Sequence, residues 1–393
     1  MFNQKMQELG QAPSAIRELF AYGLQRKAEI GDDKVFDFSI GNPSVPAPAS
    51  VGRAIVELGQ MPAQDVHAYT PSAGDAGARK AIADSLNRRF CESYAAENVF
   101  ITCGATGSLN VCMKALIEPD DEFIVVSPFF PEYRVWIQNH GAKCVEVPAR
   151  ESDFQIDLPA VKAAINNHTK AVIINSPNNP VGVVYSRENL EGLADVLRDA
   201  SAKNGSPIFL MSDEPYRELV FDGLEVPWVP DIYENTLVCY SWSKSLSLPG
   251  ERIGYVLVPP TVADWRNIFF AICGAARVLG HICAPALFQK VIERCVDEPA
   301  DVEAYARNRK LLTDIMDELG YTYIQPQGAF YLWLKALEPD EKAFSARAKS
   351  HELLLVPSES FGVKGWVRIG YCVSEQVITG SKDAFVALRA EYE

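Results

Sequence analysis

Residues 171–212 read AVIIN-SPNNPVGVVYS-RENLEGLADVLRDASAKN-GS-PIFLMS, and this stretch decides the fold. Ala171 to Asn175 and Pro207 to Ser212 are short apolar runs, and Arg187 to Asn204 between them has an amphipathic, helix-length pattern. A near-continuous apolar strand, a helix and a second such strand predict parallel pairing, with both sheet faces covered. Outward from this unit the pattern repeats. Val99 to Thr102, Glu122 to Ser127, Thr236 to Tyr240 and Ile253 to Val258 read as further buried strands, and Gly107 to Ile117 and Asp157 to Asn166 as helices. The expectation is an α/β protein with a mainly parallel sheet sandwiched by helices. Ligands of such sheets sit beyond the carboxyl ends of the strands.

The flanks follow another pattern. Ser14 to Ile30 is one amphipathic helix, followed by an extended piece with Pro43, Pro46 and Pro48. From about Pro285 a helical stretch runs to Leu319, interrupted near Glu298-Pro299. Short strands are expected around Tyr321 to Ile324, Gly328 to Leu334 and Trp366 to Ile369. The expected division is a large domain over residues 46–285 and a second, smaller α+β domain from residues 1–45 and 286–393. The first 15 residues are expected to form an arm that packs on another subunit.

Composition limits the function classes. With 393 residues, 48% apolar and 22% charged, the chain has the make-up of a folded soluble protein. Its formal charge of -14, from 51 acidic and 37 basic residues, argues against nucleic acid as a partner, because phosphate backbones need clustered Lys and Arg. Met1 to Gly10 is polar and lacks the apolar run of a signal peptide. The best membrane candidate, Asn267 to Leu279, is short and carries Arg277, so no membrane span is expected. The nine cysteines are scattered, and neither they nor the five histidines show metal-ligand spacing. The expectation is a cytoplasmic protein without a structural or catalytic metal.

The chemistry concentrates around Ser241-Trp242-Ser243-Lys244-Ser245, directly after an apolar strand. A lysine there reads as a solvated turn residue, as part of a serine-acylating Ser-x-x-Lys, or as a Schiff-base lysine kept partly unprotonated to attack an aldehyde. The acylating motif also requires Ser-Asp-Asn and Lys-Thr-Gly, and the sequence has neither. Context favours the third reading. Arg252 follows in Gly250-Glu251-Arg252-Ile253-Gly254-Tyr255; upstream lie Asp213-Glu214-Pro215-Tyr216 and Asn175-Ser176-Pro177-Asn178-Asn179-Pro180-Val181-Gly182, each closing a strand.

This ordered set resembles the class I/II aminotransferases, the aspartate aminotransferase-like branch of the fold-type-I pyridoxal-phosphate-dependent enzymes. The resemblance extends from Gly41-Asn42-Pro43 to Arg368. It implies pyridoxal 5'-phosphate held covalently by Lys244, with Asp213 keeping the ring nitrogen protonated so that the ring acts as an electron sink. Tyr216 and Asn179 match the groups that hydrogen-bond the ring's phenolic oxygen, Asn179 also facing substrate. Gly104-Ala105-Thr106-Gly107 lies between a strand and a helix, an arrangement that offers free N–H groups to an anion. The resemblance makes it the phosphate cup, with Ala105, Thr106, Ser241 and Arg252 as contacts. Phe130 matches the aromatic that stacks on the ring, and Tyr69 the tyrosine that reaches the phosphate of a neighbouring subunit. Arg368 matches the fork that grips the substrate α-carboxylate, with Gly41 and Asn42 closing over it.

The implied reaction is transamination between an amino acid and a 2-oxo acid by a ping-pong route, in a homodimer with shared active sites. A carbon–sulfur β-lyase on the same scaffold is the alternative, because the two reactions diverge only after the Cα proton leaves. A regulator that uses such a domain as a sensor would add an N-terminal DNA-binding domain, and here the fold begins almost at once.

Overall fold

The computed structural model describes residues 2–12 and 14–393. The chain divides into two compact units: Pro43–Ala304 with Gln327–Ala329, and Met1–Asn42 with Tyr305–Pro326 and Phe330–Glu393.

The larger unit is built on a seven-stranded sheet. Its spatial order is Val99–Thr102, Gly254–Leu257, Thr236–Ser241, Phe209–Asp213, Thr169–Asn175, Glu122–Ser127 and Lys143–Pro148. Gly254–Leu257 runs antiparallel to both neighbours, and all other pairings are parallel. Successive strand residues face opposite sides, and here both sides are apolar. Ile101, Val238, Tyr240 and Leu257 join one core with Leu58, Ile82 and Val291 from helices Ala49–Gly59, Ala76–Phe90 and Ala286–Cys295. Phe100, Leu237, Cys239 and Val256 join the other with Leu109, Val111 and Ile272 from helices Gly104–Leu116 and Trp265–Val278. Two covered faces explain why these strands appear in the sequence as unbroken apolar runs.

Three details differ from the sequence pattern. Lys143–Pro148 (KCVEVP) is a strand although it carries no apolar run; it lies at the sheet's edge with only Val147 buried. The helix expected from Gly107 starts at Gly104. Glycine and threonine are poor helix formers, but Ser108 secures this first turn, its hydroxyl donating to the Tyr255 carbonyl at 2.9 Å and meeting Thr102 Oγ1 at 2.7 Å. The long helical stretch is interrupted around Glu298-Pro299 as expected, into Ala286–Cys295 and Val302–Glu318, but its domain membership differs. The first begins where the second domain was expected to start, yet packs on Ala49–Gly59 and Ala76–Phe90.

The smaller unit has a four-stranded antiparallel sheet in the order Val356–Pro357, Trp366–Gly370, Tyr331–Lys335 and Tyr323–Ile324. A parallel pair, Phe36–Asp37 with Leu353–Leu354, stands beside it in sequence order as a separate ladder. Asn308 ties helix to sheet region by donating from Nδ2 to the carbonyls of Tyr371 (2.9 Å) and Val373 (2.7 Å). The helix Gln4–Gln11 is capped by Asn3 and buries none of its residues. The expected arm also includes positions 1 and 13, which lie outside the described residues. Among the described residues no helix is long and apolar enough to cross a membrane.

Candidate active site

Parallel strands bring their carboxyl ends to one edge of the larger sheet. Asn175 is level with Asp213, Asp213 with Cys239, and both Ser241 and Thr102 with Gly254. Strands are about 4.8 Å apart, so the chemically distinctive loops after Thr102, Asn175, Asp213 and Ser241 emerge side by side.

Asp213 is the central group. It is buried at the end of its strand, and its Oδ2 accepts a hydrogen bond from the Tyr133 hydroxyl. Its Oδ1 is buried without a partner. Burial raises this carboxyl from 3.8 to about 7; the bond from Tyr133 opposes the rise and the Glu214 charge adds to it. A carboxylate oxygen held out of water without a donor is destabilised, and a cationic N–H placed against it would restore the ionised form. Tyr133, on helix Glu132–His140, was not among the sequence candidates. Its bond to Asp213 spans 80 positions and leaves no local signature.

The neighbouring loop is anchored to the same strand end. Asn175 donates from Nδ2 to the Asp213 carbonyl at 2.8 Å and accepts at Oδ1 from the Asn179 amide at 2.7 Å. Asn175 thereby fixes where Asn179, itself buried, leaves the sheet. Tyr216 is buried three residues beyond Asp213, its carbonyl accepting from the Leu219 amide at 2.8 Å. Lys244 lies half-buried in the single helical turn Trp242–Ser245, between the buried Ser243 and Ser245. The buried Ser241 hydroxyl donates to Ser243 Oγ at 3.1 Å.

An anion site forms at the adjoining helix start. Helix Gly104–Leu116 has no side-chain cap at its N-terminus, so the first-turn amides that include Ala105 and Thr106 lack helical acceptors. Arg252, itself in the left-handed region at φ 51°, reaches this end, donating from Nη1 to the Pro249 carbonyl at 2.9 Å and from Nη2 to the Cys103 carbonyl at 3.5 Å. Gly104 has φ 76°, and a Cβ there would stand 2.8 Å from Arg252 Nη2. Glycine therefore gives the guanidinium its approach to the helix end. A helix N-terminus and an arginine fork together suit a dianion. These two features, the partnerless Asp213 oxygen and the uncapped helix end with Arg252, fit the nitrogen and the phosphate of a pyridoxal phosphate.

Two other candidates in this unit are placed differently. Phe130 is half-buried, with edge contacts to Tyr133 (5.7 Å) and Trp136 (5.9 Å), while Phe129 is buried in the core. Tyr69 is 92% exposed. In the smaller unit Arg368 is buried, donating from Nη2 to the Ser39 carbonyl at 2.7 Å, with its guanidinium 4.5 Å from the Tyr331 ring centre. Asp37 shapes this segment by accepting from the Ser39 amide (3.0 Å) and hydroxyl (2.6 Å). Gly41 lies against Tyr331, where a Cβ would collide with the phenol, and Asn42 is exposed.

Residues 33–380 match the family model of aminotransferase class I and II. The chain belongs to this family. It is 30% identical over 394 residues to an aspartate/prephenate aminotransferase of Thermus thermophilus, covering 95% of each chain. The crystal structure of an aminotransferase from Eubacterium rectale superposes with a TM-score of 0.98 at 50% identity, covering 100% of this chain and 99% of the other. The aspartate aminotransferase of Thermus thermophilus with maleate gives 0.88 at 28% identity, covering 99% of both. The chain is thus an aminotransferase with the fold-type-I architecture of this family, and it transfers amino groups between amino acids and 2-oxo acids.

Proposed function

We propose that this aminotransferase binds pyridoxal 5'-phosphate in its larger unit and works by a ping-pong route between an amino acid and a 2-oxo acid. The observation that carries the reading is Asp213: a buried carboxylate, raised to about 7, whose Oδ1 has no partner. When bound, the cofactor supplies an electron sink for the charge left as the substrate Cα loses its proton.

The protein's own groups do the rest. Asp213 would hold a proton on the ring nitrogen, and that N–H would in turn keep Asp213 ionised. Tyr133 holds the carboxylate in place through Oδ2. Tyr216 and Asn179 donate to the ring's phenolic oxygen. The amides of Ala105 and Thr106, the Ser241 hydroxyl and the Arg252 fork bind the phosphate, and Phe130 covers the ring face. Lys244 Nζ would hold the cofactor covalently and, when free, would accept and return the proton of the substrate Cα. Arg368 takes the α-carboxylate, with Gly41 and Asn42 of the same unit beside it, and Asn179 of the larger unit also serves substrate. The domain assignment follows: residues 43–304 form the cofactor domain and the smaller unit the substrate-carboxylate domain.

The active species is a homodimer in which Tyr69 reaches the partner's phosphate; its exposure in a single chain supports this reading. The nine free thiols support a cytoplasmic setting. The test is to run each half-reaction alone. Amino acid without an acceptor should convert the cofactor to its amine form and release one equivalent of 2-oxo acid, and a 2-oxo acid should restore it. A requirement for both substrates together would refute the ping-pong route. Continuous pyruvate release from a cysteine conjugate without acceptor would favour the β-lyase.

A further inference from the structure

The Lys244 turn is short and its backbone bonds are long. Trp242 N to the Ile253 carbonyl, and Leu246 N and Leu248 N to the Trp242 carbonyl, all measure 3.3 Å, against a usual amide bond of about 2.9–3.0 Å. The turn has no side-chain cap. It is braced instead by side chains. The Tyr240 hydroxyl, in the strand before the turn, meets Ser245 Oγ at 2.8 Å on its far side, so this contact spans Lys244. The same hydroxyl donates to Glu218 Oε2 at 2.9 Å, and Arg89 donates from Nη2 to Glu218 Oε1 at 2.8 Å. With Tyr240 donating to the carboxylate, Ser245 donates to the phenol oxygen. Burial first, and then the Glu218 charge, push Tyr240 well above the usual phenol range, so it stays a donor at neutral pH.

Glu218 belongs to the segment that carries Asp213 and Tyr216. That segment is held independently by the buried Glu214–Arg217 ion pair, by Ser212 Oγ donating to Glu214 Oε1 at 2.7 Å, and by Arg217 donating to the Val226 and Pro227 carbonyls at 3.0 Å. A rigid loop thus presents a charged acceptor to a weakly held turn. A cavity of about 220 Å³ lies beside the brace, lined in part by Arg89, Glu218, Tyr240, Trp242 and Ser245. The turn therefore has room to shift if the brace is cut.

We propose that Glu218, acting through Tyr240 and Ser245, is a positioning residue that holds the Lys244 turn in register with the Asp213–Tyr216 loop. The inference rests on the reading of Lys244 as the attachment residue. Removing the brace leaves the cofactor's other contacts intact but lets the Lys244 amine sample positions unsuited to attachment and proton transfer.

The test uses holoenzyme and three variants: Glu218→Gln, Tyr240→Phe and Ser245→Ala. Three quantities are read: the pH midpoint of the visible absorbance change, kcat and KM, and the rate at which a borohydride-reducible adduct forms on Lys244 after cofactor is added to stripped protein. The expectation is a kcat lower by about fivefold or more with KM changed less than about twofold, because the lost bond serves proton transfer and not substrate binding. The absorbance midpoint should move, attachment should slow, and the Tyr240→Phe/Ser245→Ala double variant should be no worse than its worse single parent, as for two ends of one bond. Reduced thermal stability with midpoint, attachment rate and kcat unchanged would make the network structural support alone and overturn the proposal. Additive losses in the double variant would do the same. If the wild-type adduct itself maps to another lysine, the attachment reading fails first and the brace loses its purpose.

Discussion

Replacing Asp213 by asparagine should stabilise the cofactor-free protein while disabling the enzyme. In the folded chain, burial raises this carboxyl from 3.8 to about 7, Tyr133 opposing and Glu214 reinforcing the rise. The folded chain therefore holds the proton more tightly than the unfolded chain. The group's favourable contribution is fully present below pH about 3.8 and is lost as the pH rises to about 7. The difference between those values corresponds to on the order of 4 kcal/mol, at about 1.4 kcal/mol per pH unit. Asparagine keeps the shape and an acceptor for the Tyr133 hydroxyl but carries no charge, so it escapes this loss. Urea unfolding of stripped wild type and Asp213→Asn, run between about pH 5 and 8, measures the difference directly. The variant's advantage should grow with pH and level off above about pH 7. Addition of cofactor should erase or reverse it, because a ring N–H partners only the carboxylate productively. A difference that does not vary with pH would refute the argument that Asp213 is a buried carboxyl whose Oδ1 awaits a cationic donor.

Other outcomes follow from the same geometry. Arg368→Lys replaces a planar fork with a point charge, and one charge-assisted bond lost lowers kcat/KM at least about tenfold for every amino acid tried, with the cofactor's absorbance little changed; steady-state kinetics with several amino acids checks this. Gly104→Ala places a Cβ 2.8 Å from Arg252 Nη2 at a φ of 76°, so cofactor titration should show affinity reduced by about tenfold or more. Tyr69→Ala and Lys244→Ala, each inactive alone, should regain part of their activity when mixed, through hybrid sites in the dimer; no recovery at any ratio would argue against the shared site.

The sequence exposed those parts of the molecule whose physics is local. Glu122–Ser127 and Thr236–Ser241 are buried along their length, so their central residues had to suit an apolar setting and the runs stand out. Lys143–Pro148 has one buried residue and was invisible to the same reasoning. The helix start at Gly104 was displaced because burial and the Ser108 bonds override low propensity there. At the site, Asp213 and Lys244 were legible because charged residues at or just past the end of a buried strand require a reason, and Arg252 because it completes the ordered motif set after Lys244. Tyr133 and Asn175 were not assigned roles, since their partners are 80 and 38 positions away. The Arg89–Glu218 link spans 129 positions and, like them, becomes visible only when the chain is folded.

The proposed chemistry requires Lys244 to be the residue that holds the cofactor. Purified protein loaded with pyridoxal 5'-phosphate, reduced with borohydride, digested and mapped by mass spectrometry, tests this directly. A single reduced adduct is expected, on the peptide that contains Ser241-Trp242-Ser243-Lys244-Ser245, and Lys244→Ala should bind cofactor without forming it. An adduct on any other lysine, or full turnover by Lys244→Ala, would contradict the account.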